Sequence, residues 1–173
     1  MSSKFVVAAS LVLGADGSTS NNGSSSGLSS PNDRARFHKI RGESTAILIG
    51  GATARREPYK KTPIPLFIVT HSRVKLQPKN HLAKQLNMDP ISALSEIENI
   101  FADKDNAQLL VEAGPRLLQV LLDQRKIDKL YLTINHHVHG ENKIDINRLL
   151  TGLKLVSNEI IESDEFCSYE LAH

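Results

Sequence analysis

The chain predicts an α/β fold, with a mostly parallel central sheet flanked by helices and an antiparallel C-terminal edge. Three observations predict it. A continuous apolar run, Phe5 to Leu13, fits a central strand covered on both faces. Strand-like and helix-like segments then alternate as far as Leu122. Beyond that point strand follows strand, which argues for antiparallel pairing at the end of the sheet.

The elements follow in order. Gly14 to Ser30, dominated by Gly, Ser, Asn and Asp, cannot pack a core and reads as a long loop inside the domain. Ser30-Pro31-Asn32-Asp33 starts a helix: Ser30 caps, Pro31 suits the first helical position, and Asp33 favours the positive end. That helix runs to about Arg41 and stops at Gly42. Thr45 to Ile49 is the next strand, closed by Gly50-Gly51, and Pro65 to Thr70 is a third. Asp89-Pro90 opens a helix with Ile91, Leu94, Ile97 and Phe101 at helical spacing. Gln108 to Glu112 is a fourth strand. Gly114-Pro115 begins a helix whose Leu117, Leu118, Leu121 and Leu122 share one face. Leu130, Leu132 and Ile134 alternate with Lys129, Tyr131 and Thr133, the pattern of a half-buried strand. Lys154 to Ile161 and Phe166 to Leu171 read as a hairpin turned at Ser163-Asp164.

The 173 residues suit one domain, spanning 1–173. Lys plus Arg number 21 against 19 Asp plus Glu, and the densest basic stretch, Arg34 to Arg41, is broken by Phe37, His38 and Ile40. A nucleic-acid binder concentrates its cations, so small anionic ligands are expected instead. The single cysteine, Cys167, excludes a disulfide framework and a Cys-type zinc site and reads as a buried thiol. The stretch Met1 to Lys4 with the apolar run after it is too short to span a bilayer and shows no cleavage pattern. A cytoplasmic protein without membrane partners is expected.

Three strand ends carry anion-binding chemistry. At Gly50-Gly51-Ala52-Thr53 paired glycines allow close backbone approach to a phosphate and Thr53 adds a donor, although a plain strand-ending turn has the same composition. At Glu112-Ala113-Gly114-Pro115 a helix begins behind a glycine, a ready site for a pyrophosphate at the carboxyl end of a strand. At Thr70-His71-Ser72-Arg73 a hydroxyl and a guanidinium arrive together, chemistry suited to a ribose 2′-phosphate. Together they point to a dinucleotide lying across the carboxyl edge of the sheet. The Rossmann glycine fingerprint after the first strand is absent. His136, His137 and His139 lack acidic or cysteine partners at ligand spacing, so no metal site is expected.

These motifs, with Asp16-Gly17, Ser29-Ser30-Pro31, Arg34, Arg36-Phe37-His38, Arg41, Ala46-Ile47-Leu48, Thr53, Glu57-Pro58, Leu110 to Pro115, Leu121-Leu122, Ile127 to Leu130 and Gly140, resemble the reductase domain of the bifunctional riboflavin-pathway deaminase–reductase, of the dihydrofolate-reductase-like superfamily. The resemblance implies NADPH-dependent reduction of 5-amino-6-(5-phosphoribosylamino)uracil and a homodimer, for which a late strand such as Lys129 to Asn135 offers an interface. It implies Gly27, Thr53, Glu57, Ser72 and the turn Gly114, Pro115, Arg116 and Leu117 at the cofactor, with Gly50 and Gly51 added on chemical grounds for a phosphate and Arg73 for the 2′-phosphate. Ser25, Arg41, Lys61 and Glu112 fall to the substrate, and Asp16 and Glu112 are the candidates by location for proton transfer. The chain departs from the family at Ser18, where a basic residue often stands, and at Tyr59-Lys60-Lys61-Thr62-Pro63, which replaces an arginine segment facing the substrate phosphate. A deaminase half is not encoded in these residues. The other readings are a reductase of the same fold acting on a pterin, and a nucleotide-binding protein that has lost catalysis. The first helix shows no obvious buried acid of the kind dihydrofolate reductases use for the pteridine.

Overall fold

The computed structural model describes residues 4–173; residues 1–3, part of the stretch judged above for a leader, lie outside the described residues. The apolar run forms β1 (Val6–Gly14) at the heart of an eight-stranded sheet. The loop after it is more structured than its composition suggests. It holds a short strand β2 (Ser18–Ser20), then a single tight turn at Ser25–Gly27. Next come α1 (Pro31–Gly42), capped by the Ser30 side chain, and β3 (Ala46–Gly50). Gly50-Gly51 does not simply close that strand: Gly51 begins a one-and-a-half-turn helix, α2 (Gly51–Arg56). β4 (Leu66–Val69) and the unforeseen β5 (Ala83–Leu86) precede α3 (Pro90–Ile100), capped by Asp89.

β6 (Gln108–Val111) ends one residue before Glu112, and α4 (Pro115–Asp123) packs Leu118, Leu121 and Leu122 into the core. Then follow β7 (Lys129–Asn135), the short β8 (Glu141–Lys143), α5 (Ile146–Leu149), β9 (Leu153–Ile161) and β10 (Asp164–Leu171). The last hairpin turns at Glu162-Ser163, one residue earlier than its composition suggests, with Glu162 at a left-handed φ of 55°.

The strand order is β5-β4-β3-β6-β1-β7-β10-β9, while β2 and β8 form a separate pair. The strands from β5 through β7 run parallel; β10 is antiparallel to both β7 and β9. The largest core cluster joins β1, β6 and β7 to α3 and α4, the covering that near-continuous apolar strands require.

Two expectations for β7 change. Its alternation breaks at the end, where Thr133 and Asn135 are buried and Ile134 is only partly so. The polar groups are satisfied there: Arg36 donates to Thr133 Oγ1, and Asn135 Nδ2 to the Leu28 carbonyl. Nor can Lys129 to Asn135 serve as an interface strand, because β1 and β10 occupy both of its hydrogen-bonding edges. The free edges belong to β5 and β9.

Candidate active site at the carboxyl edge of the sheet

β4, β3 and β6 are neighbours, and their registers, Gly50 with Val69 and Leu48 with Val111, bring three strand ends to one edge. All three anion-binding motifs therefore lie side by side. The helix starts there differ from the others. α1, α3 and α5 are capped by Ser30, Asp89 and Asp145 side chains. α2 and α4 begin at Gly50 and Gly114 with no side-chain cap and no acid in the first turn. Backbone N–H groups at such a start remain available to an anion.

Thr53 ties the two glycine-led helices together, its Oγ1 accepting the Gly114 N–H at 3.2 Å. Pro115 occupies the first turn of α4, Arg116 beside it is exposed, and Leu117 lies 3.4 Å from where a Gly50 β-carbon would stand. The glycines have different reasons to be small. A β-carbon on Gly51 would fall 2.6 Å from Thr70 Oγ1, so packing against β4 demands glycine. On Gly114, at φ −63°, it would meet only Thr53 Oγ1, at an ordinary 3.6 Å. The fold leaves the space over Gly114 open, as a closely approaching ligand requires. After β4, Ser72 Oγ donates to the Val74 carbonyl, shaping a turn that presents Arg73 to solvent.

The serine-rich segment folds back onto α2. Glu57 accepts from Ser24 Oγ, from the Ser25 N–H at 3.0 Å and from Ser25 Oγ at 3.0 Å. Gly27 packs so closely against Asn21 that a β-carbon would lie 2.7 Å from its carbonyl oxygen. Ser25 and Glu57 thus meet, although α1 and β3 separate them in sequence, and Gly27 closes the same turn. Lys61 is exposed in the segment leading to β4.

Arg41 and Glu112 do not stand open toward solvent; they hold each other. Arg41 Nε and Nη2 donate to the two Glu112 carboxyl oxygens at 2.9 and 2.7 Å. Tyr59 OH donates to Glu112 Oε2 at 2.6 Å, and the guanidinium sits 4.6 Å from the Phe37 ring centre. Burial, and then the Glu112 charge, push the Tyr59 hydroxyl well above its ordinary range, so it keeps its proton. Tyr59 is the participant that sequence reasoning missed. Its only signal was its place in the segment that departs from the family.

Asp16 follows β1 and meets Lys143 of β8 at 3.1 Å. Contacts from Ser18, with the Lys143 ammonium, hold its carboxyl well below the usual carboxylate range. Asp16 is therefore held as a carboxylate, with Lys143 as its partner. The first helix does contain a buried acid, against expectation: Asp33 is buried and accepts from Ser29 Oγ. His136 pairs with Glu165 at 2.8 Å.

An open, mostly parallel sheet with uncapped helix starts at its carboxyl edge is the class of α/β architecture that places ligands outside the strand ends. The RibD C-terminal domain family matches residues 6–164, and the chain belongs to that family. Its fold is shared by a diaminohydroxyphosphoribosylaminopyrimidine deaminase/5-amino-6-(5-phosphoribosylamino)uracil reductase from Thermotoga maritima, 16% identical with a TM-score of 0.72 over 96% of this chain and 56% of that one. It is also shared by a pyrimidine reductase-like protein from Corynebacterium diphtheriae, 15% identical, TM-score 0.71, covering 97% and 92%. The dihydrofolate reductase of Enterococcus faecalis, complexed with NADP(H), is similar too: 18% identity, TM-score 0.67, and 97% of both chains. The chain thus spans little more than half the length of the Thermotoga protein. No curated protein sequence matches it. Among the described residues, no helix is long and apolar enough to cross a membrane.

Proposed function

We propose that the chain is a cytoplasmic, homodimeric, NADPH-dependent reductase of riboflavin biosynthesis, and that residues 1–173 act as one domain. Its substrate would be 5-amino-6-(5-phosphoribosylamino)uracil. The observation that carries the proposal is the pair of uncapped, glycine-led helix starts at adjacent strand ends, with open space over Gly114. That donor set fits a dinucleotide pyrophosphate.

Bound NADPH would supply the hydride for the ribose C1′ carbon, while the ring oxygen takes up a proton as its bond to C1′ breaks and the sugar opens to a ribityl chain. The protein's part is position and charge. Gly114 to Leu117 bind the pyrophosphate, Thr53 orients that turn, and Ser72 with Arg73 takes the ribose 2′-phosphate. Arg41 and Glu112, held by Tyr59, serve the pyrimidine, and Lys61 lies toward the substrate phosphate. The Ser25–Gly27 turn, latched to Glu57, offers Ser25 to the substrate and Gly27 to the cofactor. Lys143 stands opposite Ser18 across the β2–β8 pair, so it brings a cation to the place where the family often carries one.

One observation favours a second reading, a pterin substrate: the buried Asp33 near the start of α1. NADPH oxidation followed by absorbance, with the phosphoribosylamino-uracil and dihydrofolate run side by side, separates the two. Turnover of the uracil alone is expected. Turnover of dihydrofolate alone moves the assignment to the pterin. NADPH binding without turnover of either would point to a different substrate or to lost catalysis.

A further inference from the structure

The two free edges of the main sheet are unequal. β5 is four residues long, whereas β9 has nine and pairs only with β10. Eight of the β9 residues are exposed, among them Leu155, Val156, Ile160 and Ile161. Those four are half of the large apolar side chains exposed among the described residues. A long apolar edge with no proline and few charges invites another strand.

The charges on β9 are arranged for self-pairing. Lys154 and Glu159 are an odd number of residues apart, which on a regular strand would put them on opposite faces. The β9–β10 register shifts at Ser168/Tyr169, leaving Val156 as an extra residue. Lys154 is thereby opposite Glu170 and Glu159 opposite Phe166, two positions on one face of β10. Around a two-fold axis at Ser157, an antiparallel second β9 would place Lys154 against Glu159 twice. It would also place Leu153 against Ile160 on the other face. Without the bulge this register would set side chains of opposite faces against each other.

We infer that β9 is the edge through which two copies of this chain pair, joining their sheets antiparallel about Ser157. This rests on the two-copy assembly proposed above and is independent of cofactor and substrate. The result is a closed, isologous contact, which uses up the edge and stops further growth.

Light scattering of the eluting full chain, at tens of micromolar, tests it. The wild type should run at twice its 19.1 kDa mass. Lys154→Glu and Glu159→Lys should each weaken association by about tenfold or more, since two symmetry-related attractions become repulsions. The double exchange should restore it, and Ile160→Asp should give monomers with unchanged circular dichroism. A monomeric wild type overturns both the assembly and the edge. A dimer that survives Ile160→Asp and both single charge reversals leaves the assembly standing and overturns the β9 edge.

Discussion

Thr53 and Gly114 are joined by a hydrogen bond from the Gly114 N–H to Thr53 Oγ1 at 3.2 Å, which locks the start of α4 to the first turn of α2. Two helices from adjacent strands thereby open toward the same space. The site's glycines can be separated by what each meets there.

Gly114→Ala should change stability by less than about 1 kcal/mol, because its conformation is ordinary and its β-carbon finds room. Loss of NADPH affinity, measured by fluorescence titration, would then report on the ligand and not on the fold. Gly114→Val should lower affinity further, since a β-branched side chain fills more of that space. Gly51→Ala should instead cost about 1–3 kcal/mol in urea unfolding, through its clash with Thr70.

Arg41→Ala strands a buried carboxyl. Glu112 has only 2% of its side chain exposed, and removing one partner of such a pair typically costs about 3–5 kcal/mol. The urea midpoint should fall accordingly, and Arg41→Ala/Glu112→Gln should recover part of the loss. Tyr59→Phe should cost about 1.5–3 kcal/mol, the worth of a hydrogen bond to a charged group. In kinetics, Arg41→Ala should raise KM for the pyrimidine while the NADPH affinity stays near wild type.

Asp16 sets an acid limit. Its folded pKa is depressed by Ser18 and by Lys143, so its contribution to stability is present above the ordinary aspartate value, about 3.9. That contribution is lost only as pH falls through the lowered folded value. Carboxyl carbon shifts in NMR should show Asp16 still ionised where ordinary aspartates have protonated. Lys143→Met should move its titration part of the way back.

Glu57→Ala should release the serine-rich turn, because three donors from Ser24 and Ser25 lose their acceptor. Limited proteolysis should then cut between Asn21 and Ser26 faster than in the wild type, with the global unfolding midpoint nearly unchanged.

Most strands and the long helices were legible because their signals are local. Apolar runs mark β1, β3, β4 and β6, and Ser30-Pro31, Asp89-Pro90 and Gly114-Pro115 mark helix starts. β5, with Lys84 and Gln85 at its centre, has no such run; it is a strand because β4 offers it an edge. β2 and β8, three residues each, exist only through each other. At the site, local chemistry sufficed to nominate the glycine turns, Thr53, Ser72 and Arg73. It was silent on Tyr59 reaching Glu112 and on Lys143 reaching Asp16.

What the sequence determined by itself was therefore the type of each long element and the glycine, hydroxyl and guanidinium groups carried at three strand ends. Propensity, periodicity and capping act within a few residues of chain. The tertiary structure decided which polar groups are matched. It closed Glu112 between Arg41 and Tyr59, paired Asp16 with Lys143, buried Asp33, sealed β7 and left β9 open. Those outcomes depend on distances between residues far apart in the chain and on the desolvation that packing imposes, and both arise only when the sheet is assembled.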